Sequence, residues 1–367
     1  MTDRRLPVRE PDRYNSRRSG HRRRGARART AVPSARRPAR RLLVTAAVVT
    51  AALGAGVAFA YQNLNGNIAS QDVDGQLDAK ARPERTSPGA VNVLLLGSDS
   101  RSGVNREYGR DEGGARSDTA MVVHVAKGHR SASVISIPRD TLVDRPSCAT
   151  SSGDAPAARS VMFNSAYATG GLTCSVATVE ELSGLRIDHV VEIDFSGFKK
   201  LIDTLGGVRV DVPQNIDDHY SHAHLSKGTQ RLDGEQALGL VRTRHGIGDG
   251  SDLGRIRLQQ IFMKALIGQI RSADLLTDPV KLYRLLDDVT SAITTDKGLG
   301  SLASLTSFAR SLDGLDADRV DFRTLPVTPA PQDPNRVVPE AAQAGAIWKA
   351  LREDRSLPAR SEEGGKQ

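Results

Sequence analysis

The longest apolar run in the chain covers residues 42–61, twenty positions without a formal charge. At ~1.5 Å rise per residue a helix of that length crosses a hydrocarbon core of ~30 Å once. A polar stretch follows (62–90), rich in Asn, Gln, Asp, Pro and Ser and without periodicity, which reads as a stalk. The pattern then changes. Residues 91–96 are apolar but for Asn92 and end in Gly97, as a central strand buried on both faces would. Residues 119–126 and 131–137 are β-branched runs separated by Lys127-Gly128-His129-Arg130, which predicts an antiparallel hairpin beside that strand. Residues 189–195 read as a strand, Ser196 as the cap of a helix running to Leu205, and Gly206-Gly207 as the left-handed exit before a strand at 208–212. Helices are predicted from Asp233, over 252–271, over 279–290 and over 299–312. In the second of these Leu258, Phe262, Ala265, Leu266 and Ile270 recur at helical spacing. Together these elements predict an α/β domain with a central mixed β-sheet flanked by helices over residues 91–326, followed by a tail (327–367) with one more helix around Trp348.

Charge is distributed unevenly. Residues 1–41 hold fifteen arginines and three acids, a net of +12 against +8 for the whole chain, which leaves −4 for everything after them. The basic balance therefore belongs to a tail that is nearly devoid of aliphatic residues and reads as disordered. It does not mark the folded part as a specific nucleic-acid binder, and residues 1–41 carry neither a reading helix nor an aromatic platform. By the positive-inside rule the tail stays cytoplasmic, residues 42–61 form a single membrane-spanning helix, and the remainder lies outside. Cys148 and Cys174 are the only cysteines. On the outer side of a membrane an even pair suggests one disulfide, with two separate buried thiols as the alternative.

The candidate chemistry lies where apolar runs end or helices begin. Asp99 and Arg101 directly follow the first buried strand, where the carboxyl end of an α/β sheet opens a ligand crevice. Arg116 and Asp118 precede the second strand, and Arg139 follows Pro138 at the end of the third. Arg242, Arg244 and Arg255 lie between positions 241 and 260. Guanidinium is permanently charged and its planar fork matches phosphate oxygens two at a time, so this set points to a pyrophosphate. Asp99 and Asp118 add the hard oxygens that Mg²⁺ (or Mn²⁺) prefers. Arg255 and Gln259 are four apart and share a helical face. His245 is a weaker candidate base, since neighbouring arginines depress its proton affinity. The chain contains no Gly-x-Ser-x-Gly, no Gly-x-x-x-x-Gly-Lys-Ser/Thr and no His-Glu-x-x-His, which disfavours serine acyl transfer, P-loop chemistry and zinc peptidase activity.

The stretches NVLLLGSDSR, RSDTAMVVHV, VISIPRD, VEIDFSGFKKLIDTLGGVRVDVP and LDGEQALGLVRTRHGIGDGSDLGRIRLQQ occur in that order between residues 91 and 270. In them the chain resembles the LytR-CpsA-Psr family of cell-wall glycopolymer ligases, and its Arg- and Ala-rich composition fits an actinobacterial source. The resemblance implies a single membrane anchor, an extracytoplasmic catalytic domain, and transfer of a glycopolymer from a polyprenyl-diphosphate carrier to a peptidoglycan hydroxyl. It makes Asp99 and Asp118 the metal-associated carboxylates; separately from the resemblance, Asp99 is the candidate to assist deprotonation of the acceptor. Arg116, Arg139, Arg242, Arg244, Arg255 and Gln259 become the pyrophosphate grip. It also implies an apolar cavity for the polyprenyl tail, lined in part by Val190, Ile193, Phe195, Phe198, Leu201, Leu266 and Ile270. Where the family commonly has Arg-Gln-Gln, this chain has Leu258-Gln259-Gln260 with Arg257 one place earlier, a shift that turns a helical side chain by ~100°. Two alternatives stay open on the residues alone: hydrolysis of a polyprenyl-pyrophosphate lipid, and a membrane-anchored envelope regulator without catalysis.

Overall fold

A computed structural model describes residues 36–98, 117–150, 153–244, 252–272 and 278–360. The chain divides into two compact units between Ala55 and Gly56. Helix α1 (Arg36–Asn67) carries the apolar run, and its portion Val44–Asn67 is long and apolar enough to cross a membrane.

The second unit is built on a seven-stranded mixed sheet. Its strands are β1 (Ala69–Gln71), β2 (Val91–Ser98), β3 (Ser117–Val125), β4 (Ala132–Ile137), β5 (His189–Asp194), β6 (Ile293–Asp296) and β7 (Val320–Thr324). They lie in the order β1-β6-β5-β2-β3-β4-β7. The hairpin β3–β4 is antiparallel, as its two β-branched runs predict, and turns through Gly128 (φ 82°) and His129 (φ 55°). β5 runs parallel to β2, so the carboxyl ends of both strands open on the same edge.

The central strands bury both faces, and side-chain alternation sends successive residues to different cores. Leu94 and Leu96 of β2, Ala120 and Val122 of β3, and Val190 of β5 pack with Phe163, Val176 and Val179 of α2 (Phe163–Ser183) and with Ile347, Trp348 and Leu351 of α8 (Ala341–Arg352). Leu95, Met121, Val191 and Ile193 face the other way, toward α3 (Phe195–Thr204) and α5 (Asp252–Ser272). Behind α3 and α5 a second core forms around the antiparallel pair Val208–Val212 and Gly228–Leu232, with α4 (Gly234–Arg242) closing it.

Several expectations change in detail. Ser196 does not cap α3; Asp194 does, its side chain accepting from the Gly197 amide, which places Ser196 inside the helix. The segment read as a stalk supplies β1, which pairs with β6, and buries Val73 in the first core. Likewise α8, in the stretch read as a tail, is part of that core. Cys148 and Cys174 are joined by a disulfide with Cα atoms 5.3 Å apart, a link worth ~3 kcal/mol in the chain-entropy model. Helix α2 is interrupted at Gly170 and Gly171 beside it. Gly171 has φ 59°, and a Cβ on Gly170 would lie 2.5 Å from the Cys174 sulfur, so both positions need glycine.

Candidate functional site

The amino end of β3 brings Asp118 out at the sheet edge where β2 ends. Arg139 arrives from the end of β4, Arg244 from just beyond α4, and Asp252 and Arg255 from the first turn of α5. Arg139 Nη1 donates to Asp118 Oδ1 at 2.6 Å, and Arg244 Nη2 lies 3.7 Å from the same oxygen. Arg255 donates to the Asp118 carbonyl oxygen at 2.7 Å and pairs with Asp252. Asp252 Oδ2 accepts from the Arg139 amide at 3.2 Å. Asp140 faces Arg139 Nε at 3.5 Å while accepting from Arg336 at 2.9 Å, so it is shared between two arginines. Burial is graded across the set: the Arg255 side chain is 3% exposed, those of Arg139 and Arg244 21% and 29%. Arg255 is thus a structural cation, and the other two reach solvent.

Three guanidiniums around one or two carboxylates set the electrostatics. Burial pushes the Asp118 carboxyl up, but Arg255, Arg139 and Arg244 outweigh it and hold the group below its ordinary value. Arg244 moves the opposite way, pushed down to about 10 by burial and by repulsion from Arg255 and Arg139. An anion arriving at this edge relieves that repulsion.

Next to the cluster lies an apolar cavity of about 260 Å³ between the sheet and helices α3 and α5. Ile193, Phe195, Phe198, Leu201 and Leu266 line it, in agreement with the expectation. Val190 does not, because it is one residue out of phase with Val191 and points into the opposite core. Ile270 does not either; it is 49% exposed, a turn beyond Leu266 where α5 has passed the end of the cavity. Gln259 joins the two sites. Buried one turn after Arg255, it lines the cavity and donates to Thr119 Oγ1 (2.9 Å) and to the Val241 carbonyl (3.0 Å). Cluster and cavity share the wall made by Thr119 and Gln259.

Arg242 lies at the cavity wall, with its guanidinium 4.9 Å above the ring of Phe195. Arg257 is exposed and has no ion pair among the described residues, while Leu258 fills the second core. Asp99, Arg116 and His245 lie outside the described residues. The residue that the sequence left unassigned is Asp252, visible there only as a helix start. Its spacing of three from Arg255 was the available signal.

Fold and site define a class: a mixed α/β domain with an arginine cradle for an anion at the mouth of an apolar cavity. The chain belongs to the LytR_cpsA_psr family, whose model matches residues 59–353. It is 32% identical over 299 residues to the cell wall biosynthesis protein LcpA of Corynebacterium glutamicum, covering 74% of this chain and 55% of that protein. To the polyisoprenyl-teichoic acid–peptidoglycan teichoic acid transferase TagT of Bacillus subtilis it is 33% identical, over 62% of this chain and 68% of that one. Among solved structures, the LytR-Csp2A-Psr enzyme from Actinomyces oris superposes with a TM-score of 0.57 at 26% identity, covering 77% of this chain and 95% of that one. The chain spans about half the length of the first curated relatives it matches, 55% and 52%.

Proposed function

We propose that this protein transfers a glycopolymer from a polyprenyl-diphosphate carrier to a hydroxyl of peptidoglycan. The observation that carries this reading is the shared wall: a cluster of arginines that repel one another and a largely apolar cavity meet at Thr119 and Gln259. A molecule that satisfies both is a lipid with a diphosphate at its end. The names of the relatives in Corynebacterium and Bacillus support a role in the cell wall.

In this mechanism the isoprenoid lies between Phe198, Leu201 and Leu266, and the diphosphate meets Arg139, Arg244 and Arg116, with Arg242 at the entrance. Arg139 and Arg244 are positioned to stabilise charge on the leaving lipid phosphate. Arg255 and Gln259 are too buried to move and act by holding β3 in place. Among the described residues both arginines facing the Asp118 side chain use Oδ1, which leaves Oδ2 toward a divalent cation in this reading. Mg²⁺ is usually held by one or two carboxylates plus substrate phosphates, and Asp118 fits that requirement, with Asp99 as the second candidate. When bound there, Mg²⁺ would polarise the attacked phosphoryl group. Asp118 is a poor proton acceptor because three guanidiniums stabilise its charge, which leaves deprotonation of the acceptor hydroxyl to another group, Asp99 by our reading.

We further propose that α1 anchors the protein with residues 1–41 cytoplasmic and the catalytic unit outside. The arginine excess before the apolar run and the disulfide both support this orientation. The test is turnover by the full chain in proteoliposomes, supplied with a polyprenyl-diphosphate oligosaccharide, peptidoglycan fragments and Mg²⁺. Glycan phosphate should appear on the fragment, and Arg139→Ala should slow its formation by about 10²–10³-fold. Release of sugar phosphate with no glycan on the fragment would replace transfer by hydrolysis.

A further inference from the structure

The outer end of α1 is fastened to the domain by three asparagines. Asn63 donates to Tyr283 Oη (3.0 Å) and to Asp287 Oδ1 (3.2 Å), and Asn67 donates to the same Asp287 oxygen (2.8 Å). Both partners lie on α6 (Pro279–Ala292). Asn65 Oδ1 accepts from the Leu302 amide (2.9 Å) at the start of α7 (Leu302–Ser311). These contacts give the direction of both helices relative to α1. Along α6, Asp287 pairs with Asn67 and Asn63, and Tyr283 with Asn63 alone, so its amino end points back toward the apolar run. Along α7, Leu302 sits level with Asn65, while Arg310 lines an open pocket of about 390 Å³ that also includes Tyr61, Thr306 and Ser307. The amino end of α6 and the carboxyl end of α7 therefore reach toward the level of Tyr61, where the apolar run of α1 ends.

A helix that crosses the bilayer over residues 42–61 puts that level at the boundary of the hydrocarbon. Tyr61 closes the apolar run, and aromatic residues with a polar tip favour this depth. Around it stand groups suited to a headgroup layer. Val280 is an exposed apolar residue (61%) in the first turn of α6, with exposed Lys281 after it. Arg310 is exposed and has no ion pair among the described residues. Hydroxyls of Thr306 and Ser307 complete a concave surface with one cation at its rim.

We propose that the pocket formed by Tyr61 and helix α7 binds the phosphate headgroup of an anionic membrane lipid, with Arg310 as its cation, and that the α6–α7 collar seats the domain on the headgroup layer. The proposal rests on the membrane anchoring of α1 and is independent of the transfer reaction. Binding here fixes the height of the domain at a site distinct from the arginine cradle.

The full chain is incorporated into nanodiscs of phosphatidylcholine containing a minority of phosphatidylglycerol, and retained lipid is counted by native mass spectrometry. Retained phosphatidylglycerol should exceed its share of the bilayer in the parent chain. It should fall about fivefold in Arg310→Ala, recover in Arg310→Lys, and stay unchanged in Arg319→Ala, an exposed arginine paired with Asp316 elsewhere on the domain. Equal retention in parent and Arg310→Ala overturns the site. So does displacement of the lipid by millimolar inorganic phosphate, which would make it a site for free phosphate. Failure of the parent chain to enter the bilayer overturns the anchor and the collar together, whereas loss of transfer alone touches neither.

Discussion

Arg255 and Arg139 both reach Asp118, one at its carbonyl oxygen and the other at its carboxylate, yet their surroundings give them different work. Arg255 is almost fully buried and its removal leaves Asp252 in the interior without its partner, so Arg255→Ala should destabilise the fold by about 3–5 kcal/mol. A fall in the thermal midpoint checks this. Arg139 is more accessible, and its replacement should cost chiefly turnover. Asp118 gives the pH dependence. Its carboxyl is held below the ordinary value of 3.8 in the folded chain, so it contributes stability above that value and loses it as pH falls through the lower folded one. Thermal midpoints recorded in chelator should drop less steeply below pH 4 for Asp118→Asn than for the parent chain; equal acid limbs would show that the arginines do not grip this group. The sequence could name Arg139, Asp118, Arg244 and Arg255 because arginines at strand and helix ends are few and conspicuous. It could not sort them by burial, since burial depends on what packs against each one.

Elements explain which readings carried over. The hairpin β3–β4 and helix α5 have strong internal periodicity, and α4 starts at Asp233 with a complete capping box to Gln236. Helix α3 was harder to place, because Asp194, Ser196 and their neighbours offer two competing caps, and only the extended backbone at Asp194 (ψ 168°) decides between them. Contact between α3 and α6 depends on Gly197, where a Cβ would come within 2.4 Å of the Ala292 Cβ and 2.8 Å of its Cα. Gly197→Ala should therefore push α3 away from α6 and cost ~1–3 kcal/mol. Because Phe195, Phe198 and Leu201 ride on the same helix, the cavity should change shape with it. A fluorescent polyprenyl phosphate should lose affinity for this variant more than the stability loss alone accounts for.

At the scale of the molecule, local pattern was least informative where partners are far apart in sequence. β1 joins the sheet more than two hundred residues before its neighbour β6, and nothing in a polar trio such as Ala69-Ser70-Gln71 announces pairing. The same distance hid the asparagine clamp, since Asn63 and Asn67 meet Asp287 across 224 and 220 residues. Replacing both asparagines by alanine should remove hydrogen bonds worth ~1 kcal/mol each. The expected fall in thermal midpoint is about 2–4 °C per kcal/mol, and an unchanged midpoint would mean that the anchor swings freely.

The alternation along β2, β3 and β5 has a consequence for how such a protein can change over time. Odd-numbered residues of β2, β3 and β5 (Leu95, Met121, Val191, Ile193) border the cavity, while their even-numbered neighbours Leu94, Val122 and Val190 support the rest of the fold. One set can drift to fit a carrier of another length or branching while the other is kept under selection for integrity. Inheritance of a new lipid preference would then need only a few substitutions, most of them on one face of the sheet, with Leu96 the residue that both sides share.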